Sequence, residues 1–535
     1  MSTRVRTVIV GAGFAGIAAA LALRARGEHD FVILERSYAV GGTWRDNVYP
    51  GVACDVPSHL YGLSTHPSAD WSRTFAPGRE IRAYLERIVR DEGLDRHLLL
   101  GTEMTAARWQ DDHWLIAASR VPSPPVHTNV RVHSDTGPED PRDHTKIGVH
   151  SGHGVPPQRG VPSGREVPSG REVPMTEFAA DGLVLACGRL TEPALPDVPG
   201  LAEFPGPVFH SARWDDSATI AGARIAVVGT GASAIQLVPE LARRGAGVTL
   251  FQRTPAWIVP RGDRAYAEAE RAAWRDPASL KALRAELYAE GEARFASRSG
   301  DPVAASAAQR QALDHLAAQV PDEALRDALT PRYAFGCKRV LLSDDFYPAI
   351  ASGAVRLEAS ALAAADGPTL VAASGARHDV DVVVLATGFE AARQPYARRV
   401  VGEHGRTLDE HWSDGMTSVG STLVHGFPSL FVVNGPNASL GHNSAVLIME
   451  EQAAFTAELV AAGGPVRVSA AAEAGYTAEI AERAAGTPWL AGGCRNWYTD
   501  PRSGRLTLLW PGTVADFRSR LGTVRDDILS PALTP

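Results

Sequence analysis

Apolar and polar positions along the chain fall into a pattern that occurs twice. The first copy opens with Thr7-Val8-Ile9-Val10, read as a short buried strand, and continues through Gly11-Ala-Gly13-Phe-Ala-Gly16, a tight turn. Ile17 to Arg26 is then an Ala- and Leu-rich helix, and Phe31 to Leu34 the next parallel strand, ending at Glu35. The second copy has a strand at Arg224 to Val228, the turn Gly229-Thr230-Gly231-Ala232-Ser233-Ala234, a helix at Ile235 to Arg243 and a strand at Gly247 to Phe251, closing at Arg253. Strand, glycine turn, helix and strand make a βαβ unit, so the pattern predicts two mononucleotide-binding folds in one α/β chain.

Between the copies the pattern stops. Residues 121–175 hold ten Pro, seven Gly, no aromatic residue and the tandem repeat Val161-Pro-Ser-Gly-Arg-Glu166, Val167-Pro-Ser-Gly-Arg-Glu172. Without aromatic anchors such a stretch cannot offset its ordering entropy by burial, so it reads as a disordered insertion. Trp109 to Ala118 and Glu177 to Ala186 both look like strands, which puts the insertion on a hairpin tip. Five of the 17 histidines fall inside it, and a solvated linker is the reading preferred over a metal tract. From Ala265 to Leu329 an Ala-rich, helically spaced stretch is broken by Asp276-Pro277 and Asp301-Pro302, as expected of a helical cap inserted into the second unit.

Composition narrows the partners. At 535 residues the chain is long enough for two large domains or roughly three to four ordinary ones. A net charge of −8 offers no basic field for nucleic acid, so a small-molecule ligand is expected. No apolar run reaches the length of about 18 residues that crosses a bilayer. Arg4 and Arg6 ahead of Thr7 to Leu23 imitate a secretory signal, but the glycine spacing reads as a nucleotide turn. Cys54, Cys187, Cys337 and Cys494 lie more than a hundred residues apart, with neither Cys-x-x-Cys nor zinc spacing. Free thiols in a reducing cytoplasm, and no metal site, are therefore expected.

In a turn of this kind the first glycine permits the bend, the second lets backbone N–H groups approach a pyrophosphate, and the third lets helix and strand pack closely. The residue closing the second strand stands nineteen positions after the third turn position in both units. That residue meets the adenosine ribose. Glu35 can accept hydrogen bonds from a free 2′,3′-diol, as in FAD or NAD, whereas Arg253 and Thr254 suit a 2′-phosphate. The contrast predicts FAD in the first unit and NADPH in the second.

With Gly41-Gly42-Thr43-Trp44, Tyr49-Pro50-Gly51 and Asp55, the sequence resembles flavin-dependent monooxygenases of the Baeyer–Villiger type. The resemblance extends through Phe204-Pro-Gly206-Pro-Val-Phe-His210-Ser-Ala-Arg-Trp214-Asp215, similar to that family's identifying stretch, and through Phe251-Gln-Arg253-Thr-Pro255, Gly336-Cys-Lys338-Arg339, Ala386-Thr-Gly388-Phe389 and Asn496-Trp497-Tyr498. It implies two Rossmann-like dinucleotide-binding domains with a helical insertion. Residues 1–203 would begin the FAD domain, 204–378 would form the NADPH domain with its cap at about 262–330, and 379–535 would complete the FAD domain and the C-terminal segment.

By the same resemblance Gly11, Gly13, Gly16, Glu35, Gly42, Thr43 and Trp44 would hold FAD, with Tyr61 and Met104 flanking either its ring system or adenine. The 229–234 turn would hold NADPH, Lys338 would join Arg253 and Thr254 on its 2′-phosphate, and Trp497 would lie against the nicotinamide. Arg339 is the expected catalytic residue, with Asp55 beside the isoalloxazine as its carboxylate partner. A permanent cation there would stabilise a flavin C4a-peroxide as the anion that attacks a ketone, giving an ester or lactone. Tyr49 and Trp214 read as core aromatics and His210 as a structural residue.

The chain departs from the family at Ala186-Cys187-Gly188, where a Thr is usual, and in Thr499 to Gly512 and Leu440 to Ser444, which leaves the substrate open among aryl ketones, long-chain ketones and heteroatom compounds. An N- or S-oxygenating enzyme on the same scaffold is the alternative activity, and a flavin-binding redox sensor without turnover is the non-enzymatic one.

Overall fold

The computed structural model describes residues 2–122 and 175–529. The insertion expected at 121–175 lies almost wholly outside the described residues. It connects two antiparallel neighbours, His113–Arg120 and Met175–Leu185. Trp109 to Ala118 is not one strand. Thr102–Gln110 turns at Asp111 and Asp112, with φ of 51° and 58°, and returns as His113–Arg120. Aspartate is among the few side chains that tolerate this left-handed geometry, and a two-residue turn of that hand matches the twist of a hairpin.

The first sheet is built on strand Thr3–Val10, parallel to Phe31–Glu35 on one side and to Met175–Leu185 on the other. Leu98–Leu100 extends it beyond Phe31–Glu35, and Leu430–Val432, from the far end of the chain, also pairs with Met175–Leu185. Its central strands are buried along unbroken runs because both faces are covered. Helix Phe14–Ala25 is one cover and packs against helix Ala445–Ala462; the buried small side chains of Ala15, Ala18, Ala19 and Ala20 allow a close approach. Burying Ile17 and Leu23 on that helix contributes about 1.5–3 kcal/mol each. The helix starts at Phe14, three residues before the apolar pattern suggested, because its first turn is the glycine loop itself.

The second sheet is wholly parallel, in the order Val355–Glu358, Gly247–Phe251, Arg224–Val228, Val382–Leu385, Val208–His210. Val382–Leu385 therefore belongs to this unit's sheet, which runs past residue 378, where the sequence reading ended it. A small antiparallel sheet of Leu362–Asp366, Thr369–Ala372 and Arg377–Asp379 fills the crossover before that strand. The Ala-rich stretch forms helices Glu268–Trp274, Pro277–Ala293, Phe295–Ser299, Pro302–Gln319 and Glu323–Leu329. Asp276 and Asp301 are their N-caps, each followed by a proline in the first turn and each accepting a backbone N–H, from Ser279 and Ala304. No helix among the described residues is long and apolar enough to cross a membrane.

The cysteines do not all stay free. Cys337 and Cys494 form a disulfide, with Cα atoms 6.3 Å apart, across 157 residues of sequence; Cys54 and Cys187 remain thiols. Sequence spacing misses this pairing because it reports only local proximity. The bond ties the segment before Lys338 to the C-terminal loop before Trp497, and two-point closure of so long a loop contributes about 2–4 kcal/mol. Thiol titration of the denatured chain without reductant should count two thiols, rising to four after reduction, and Cys494→Ser should lower the unfolding free energy by that amount. Four thiols at the outset would mean the pair is reduced.

Candidate active site

Both glycine turns are dictated by the same close approach. Gly11 has φ +109°, and a Cβ on it would lie 2.4 Å from the carbonyl oxygen of Ala186; Gly229 has φ +115°, and its Cβ would lie 2.5 Å from that of Ala386. The crossovers Ala186-Cys187-Gly188 and Ala386-Thr387-Gly388 thus hold equivalent places, and the missing Thr hydroxyl at Cys187 leaves this contact intact. Each turn delivers a helix whose N-cap is glycine, Gly13 or Gly231, with no side chain capping it, so the first-turn N–H groups are open to an anion.

Facing Gly13 is Gly42, at φ +51°, where a Cβ would come within 3.2 Å of the Gly13 Cα. Two backbones bare of side chains border a cleft of about 520 Å³, whose walls also include Gly11, Glu35, Thr43, Trp44, Tyr61 and Met104. Gly16 lies behind this wall and Asp55 is outside the lining. Glu35, 5% exposed, accepts from the amides of Ala12 and Ser37, both at 2.9 Å, and from Arg45 Nη1 at 2.9 Å. A carboxylate offers about four lone-pair positions, so little capacity remains and its direction is fixed. Arg45, which the sequence reading missed, is gripped by Asp46 and Glu35; it follows Thr43-Trp44 directly, and that adjacency was the only signal. Burial raises the pKa of Tyr61, which accepts a 3.3 Å hydrogen bond from Trp44 Nε1 and lies within the field of Asp55 and Arg339. That field connects the cleft to the ion pair described below. The open helix terminus, the bare glycine cradle and an acidic residue at the ribose position fit FAD.

On the second turn Thr230 donates to the carbonyl of Thr254 at 2.8 Å, tying loop to strand end. Ala234 fills the third position fully buried, and Ser233 hydrogen-bonds the phenol of Tyr49, whose pKa burial lifts to about 12. Arg253 is exposed beyond the strand. Lys338 is half-buried with its ammonium 5.0 Å from the centre of the Tyr333 ring, and its pKa is lowered by burial and then by the nearby charge of Arg253. Among the described residues neither cation has a carboxylate partner. Two unpaired cations and the open turn fit the 2′-phosphate and diphosphate of NADPH. Arg253→Ala should raise the KM for NADPH at least tenfold while changing that for NADH little; equal losses for both would remove the phosphate assignment.

Arg339 lies between the two units. Its Nη2 and Nε meet Asp55 Oδ2 at 2.6 and 2.7 Å, and both side chains are about a quarter exposed, 27% and 26%. Asp55 raises the guanidinium's pKa above its already high value, against the opposing pull of burial. Tyr498, 1% exposed, hydrogen-bonds Arg339, and burial lifts its pKa to about 12. Trp497 stacks obliquely on Tyr498 with centroids 4.8 Å apart and lies away from the flavin cleft. His210 caps Ala212 through Nδ1 and packs against Phe389, while Trp214 packs against Phe209.

Two family models match the chain: an NAD(P)-binding Rossmann-like domain over residues 9–76 and a flavin-binding monooxygenase-like family over residues 166–269. A Baeyer–Villiger monooxygenase of Streptomyces coelicolor is 40% identical over 99% of this chain and 93% of its own length. Another from Pseudomonas aeruginosa is 36% identical over 96% and 89%. Among solved structures, oxidized steroid monooxygenase bound to NADP superposes with a TM-score of 0.78 at 26% identity, covering 98% of both chains. A closed cyclohexanone monooxygenase shares the fold with a TM-score of 0.78 at 24% identity over the same coverage.

Proposed function

The chain belongs to the Baeyer–Villiger monooxygenases, FAD- and NADPH-dependent flavoproteins, and on that premise we propose that it converts a ketone, O2, NADPH and a proton into an ester or lactone, NADP⁺ and water. Bound FAD and NADPH supply hydride transfer and the activation of O2. The observation that carries the assignment of roles within this chain is the Arg339–Asp55 pair.

Asp55 takes the Nε and one Nη2 hydrogen of Arg339, which fixes the plane of the guanidinium and leaves its other N–H groups to meet oxygen. Negative charge develops on the carbonyl oxygen as the new C–O bond forms, and a fixed cation in a partly desolvated cleft stabilises it without reorganising. Lysine would be a poorer choice, since an ammonium loses its proton on burial far more readily. Tyr498, buried and protonated at neutral pH, accepts a hydrogen bond from Arg339 and helps to hold the guanidinium in place. The apolar group of Tyr498, Trp489, Leu506 and Leu509 keeps water from that side. At the other end Glu35 and the glycine cradle orient FAD, while Arg253 and Lys338 anchor NADPH.

Incubation of the FAD-loaded enzyme with NADPH and a panel of ketones and sulfides, followed by product analysis, tests this. Esters from ketones are expected. Sulfoxides without esters would favour heteroatom oxygenation, and no NADPH consumption with any substrate would leave a flavin-binding sensor. We place the enzyme in the cytoplasm, a compartment that supplies NADPH.

A further inference from the structure

Arg298 and Arg339 both act on the phenol of Tyr498, and only Arg339 has a carboxylate. Arg298 lies on the short helix Phe295–Ser299, part of the helical insertion. Its one hydrogen bond is a long one, from Nη1 to Ser297 Oγ at 3.4 Å, and its guanidinium stands 4.7 Å from the centre of the Phe335 ring. Among the described residues no acidic group pairs with it. Its neighbour Arg294 does not help: Arg294 donates to the His442 carbonyl, and the carboxylate within its reach, Glu290, is 4.0 Å away. Burial draws the Arg298 pKa down to about 10, and the positive charges of Arg294 and Arg339 pull the same way. A half-buried guanidinium without a counter-charge is an uncompensated cost, which the fold keeps.

Position decides what could remove that cost. A Cβ on Gly336 would lie 3.1 Å from the carbonyl oxygen of Arg298, so this helix rests on the segment carrying Arg339 three residues later. Lys338, between them in sequence, turns elsewhere: its ammonium faces the Tyr333 ring and feels Arg253. The two phosphate-binding cations are thus on one side of the segment, and Arg298 shares the side of Arg339 and Tyr498, where oxygen is transferred. The Phe335 ring lies against the guanidinium, and apart from the long bond to Ser297 its N–H groups have no partner among the described residues, a donor set that suits a carboxylate. Phe295, partly exposed on the same helix and backed by the buried cluster of Trp489, Leu509 and Tyr498, offers an apolar edge to a hydrocarbon chain.

We propose that Arg298 is a specificity-determining residue that receives the carboxylate of a ketone substrate, so that the preferred substrates are keto acids with the acid group remote from the reacting carbonyl. This rests on the ketone-oxygenating reading above and narrows it to a substrate class.

The test compares keto acids of increasing chain length with their methyl esters, using the FAD-loaded enzyme, Arg298→Met and Arg298→Lys. The wild-type enzyme should favour acid over ester in kcat/KM by at least tenfold, with the preference peaking at one chain length. Arg298→Met, which keeps a flexible apolar stem against Phe335, should bring the acid-to-ester ratio to about one, and Arg298→Lys should retain part of it. A flavin-to-protein ratio equal to that of the wild type shows that the variants are folded. If the wild type oxygenates neutral ketones but shows no acid preference, the proposal is overturned and the ketone reading stands; if no ketone of any charge gives an ester, the ketone reading itself fails. A variant that keeps the acid preference while its KM for NADPH rises would assign Arg298 to the dinucleotide phosphates and also overturn the proposal.

Discussion

Arg339→Ala should leave the flavin fully reducible by NADPH and lower ester formation by about 10²–10³-fold, the loss typical of removing a preorganised donor to developing negative charge. The two half-reactions separate because the groups that serve them are separate. Glu35 and the Gly13–Gly42 cradle, proposed to hold FAD, belong to one cleft; Arg253 and Lys338, proposed to hold NADPH, lie near each other outside its lining, and none of them contacts the Arg339 guanidinium. The variant should fold: Asp55 is 26% exposed, so once its partner is gone it can hydrate instead of remaining a sealed charge. Anaerobic bleaching of the flavin by NADPH, with chromatographic measurement of ester in air, reads the two halves independently. Arg339→Lys should fall between, because an ammonium is a point charge that cannot hold Asp55 through two nitrogens while presenting others to oxygen. Ester production at the wild-type rate in Arg339→Ala would remove the residue from the mechanism.

The parts of this site that could be read in the sequence are those in which one chemical need is met by neighbours in the chain. The positive φ of Gly11 and Gly229 and the contact of Gly16 with Gly11 arise within one turn, so their spacing carries the information even though the carbonyls that crowd Gly11 and Gly229, those of Ala186 and Ala386, come from distant strands; Glu35 ends its strand and Arg253 stands two residues past the end of the other. The strands Arg224–Val228 and Gly247–Phe251 have the bounds that their apolar runs indicate. Contacts made only in the tertiary fold left no such trace. Cys337 meets Cys494 because two loops from different units converge, and Val382–Leu385 joins the second sheet although it follows three strands of a separate antiparallel sheet. Arg189 is an extreme case: its guanidinium is buried without a carboxylate, held by the carbonyl oxygens of Leu508, Asn434 and Gly435, and nothing near it in sequence announces that. Arg298 was equally silent, lying in an Ala-rich helical stretch where a cation reads as solvated surface. The hairpin at Asp111 and Asp112 was missed for a different reason, since an apolar residue on each flank, Trp109 and Trp114, made a turn look like the middle of a strand.

Gly16→Ala tests how strictly the first unit's geometry is set, and it should cost the enzyme most of its flavin. An ideal Cβ at Gly16 would lie 1.9 Å from the carbonyl oxygen of Gly11 and 2.9 Å from its carbonyl carbon. Both are backbone atoms, so no rotamer change relieves the contact. Gly11 cannot retreat either, because its own missing Cβ already marks a 2.4 Å approach to Ala186. The methyl group must therefore push the helix Phe14–Ala25 away from the turn, and with it the first-turn N–H groups that face the cleft. Overpacking of this kind costs about 1–3 kcal/mol when side chains can adapt and more when they cannot. The purified variant should hold less than half the wild-type flavin per chain and unfold at a lower temperature. Ala234 is the natural control: it occupies the corresponding position of the second unit, in the first turn of the helix Ala232–Arg243, and is fully buried there. Ala234→Gly should cost only about 1 kcal/mol, the ordinary penalty for glycine in a helix, with NADPH binding retained. A Gly16→Ala enzyme with full flavin content and unchanged melting would show that the first turn has slack, and that the strictness attributed here to its third glycine is misplaced.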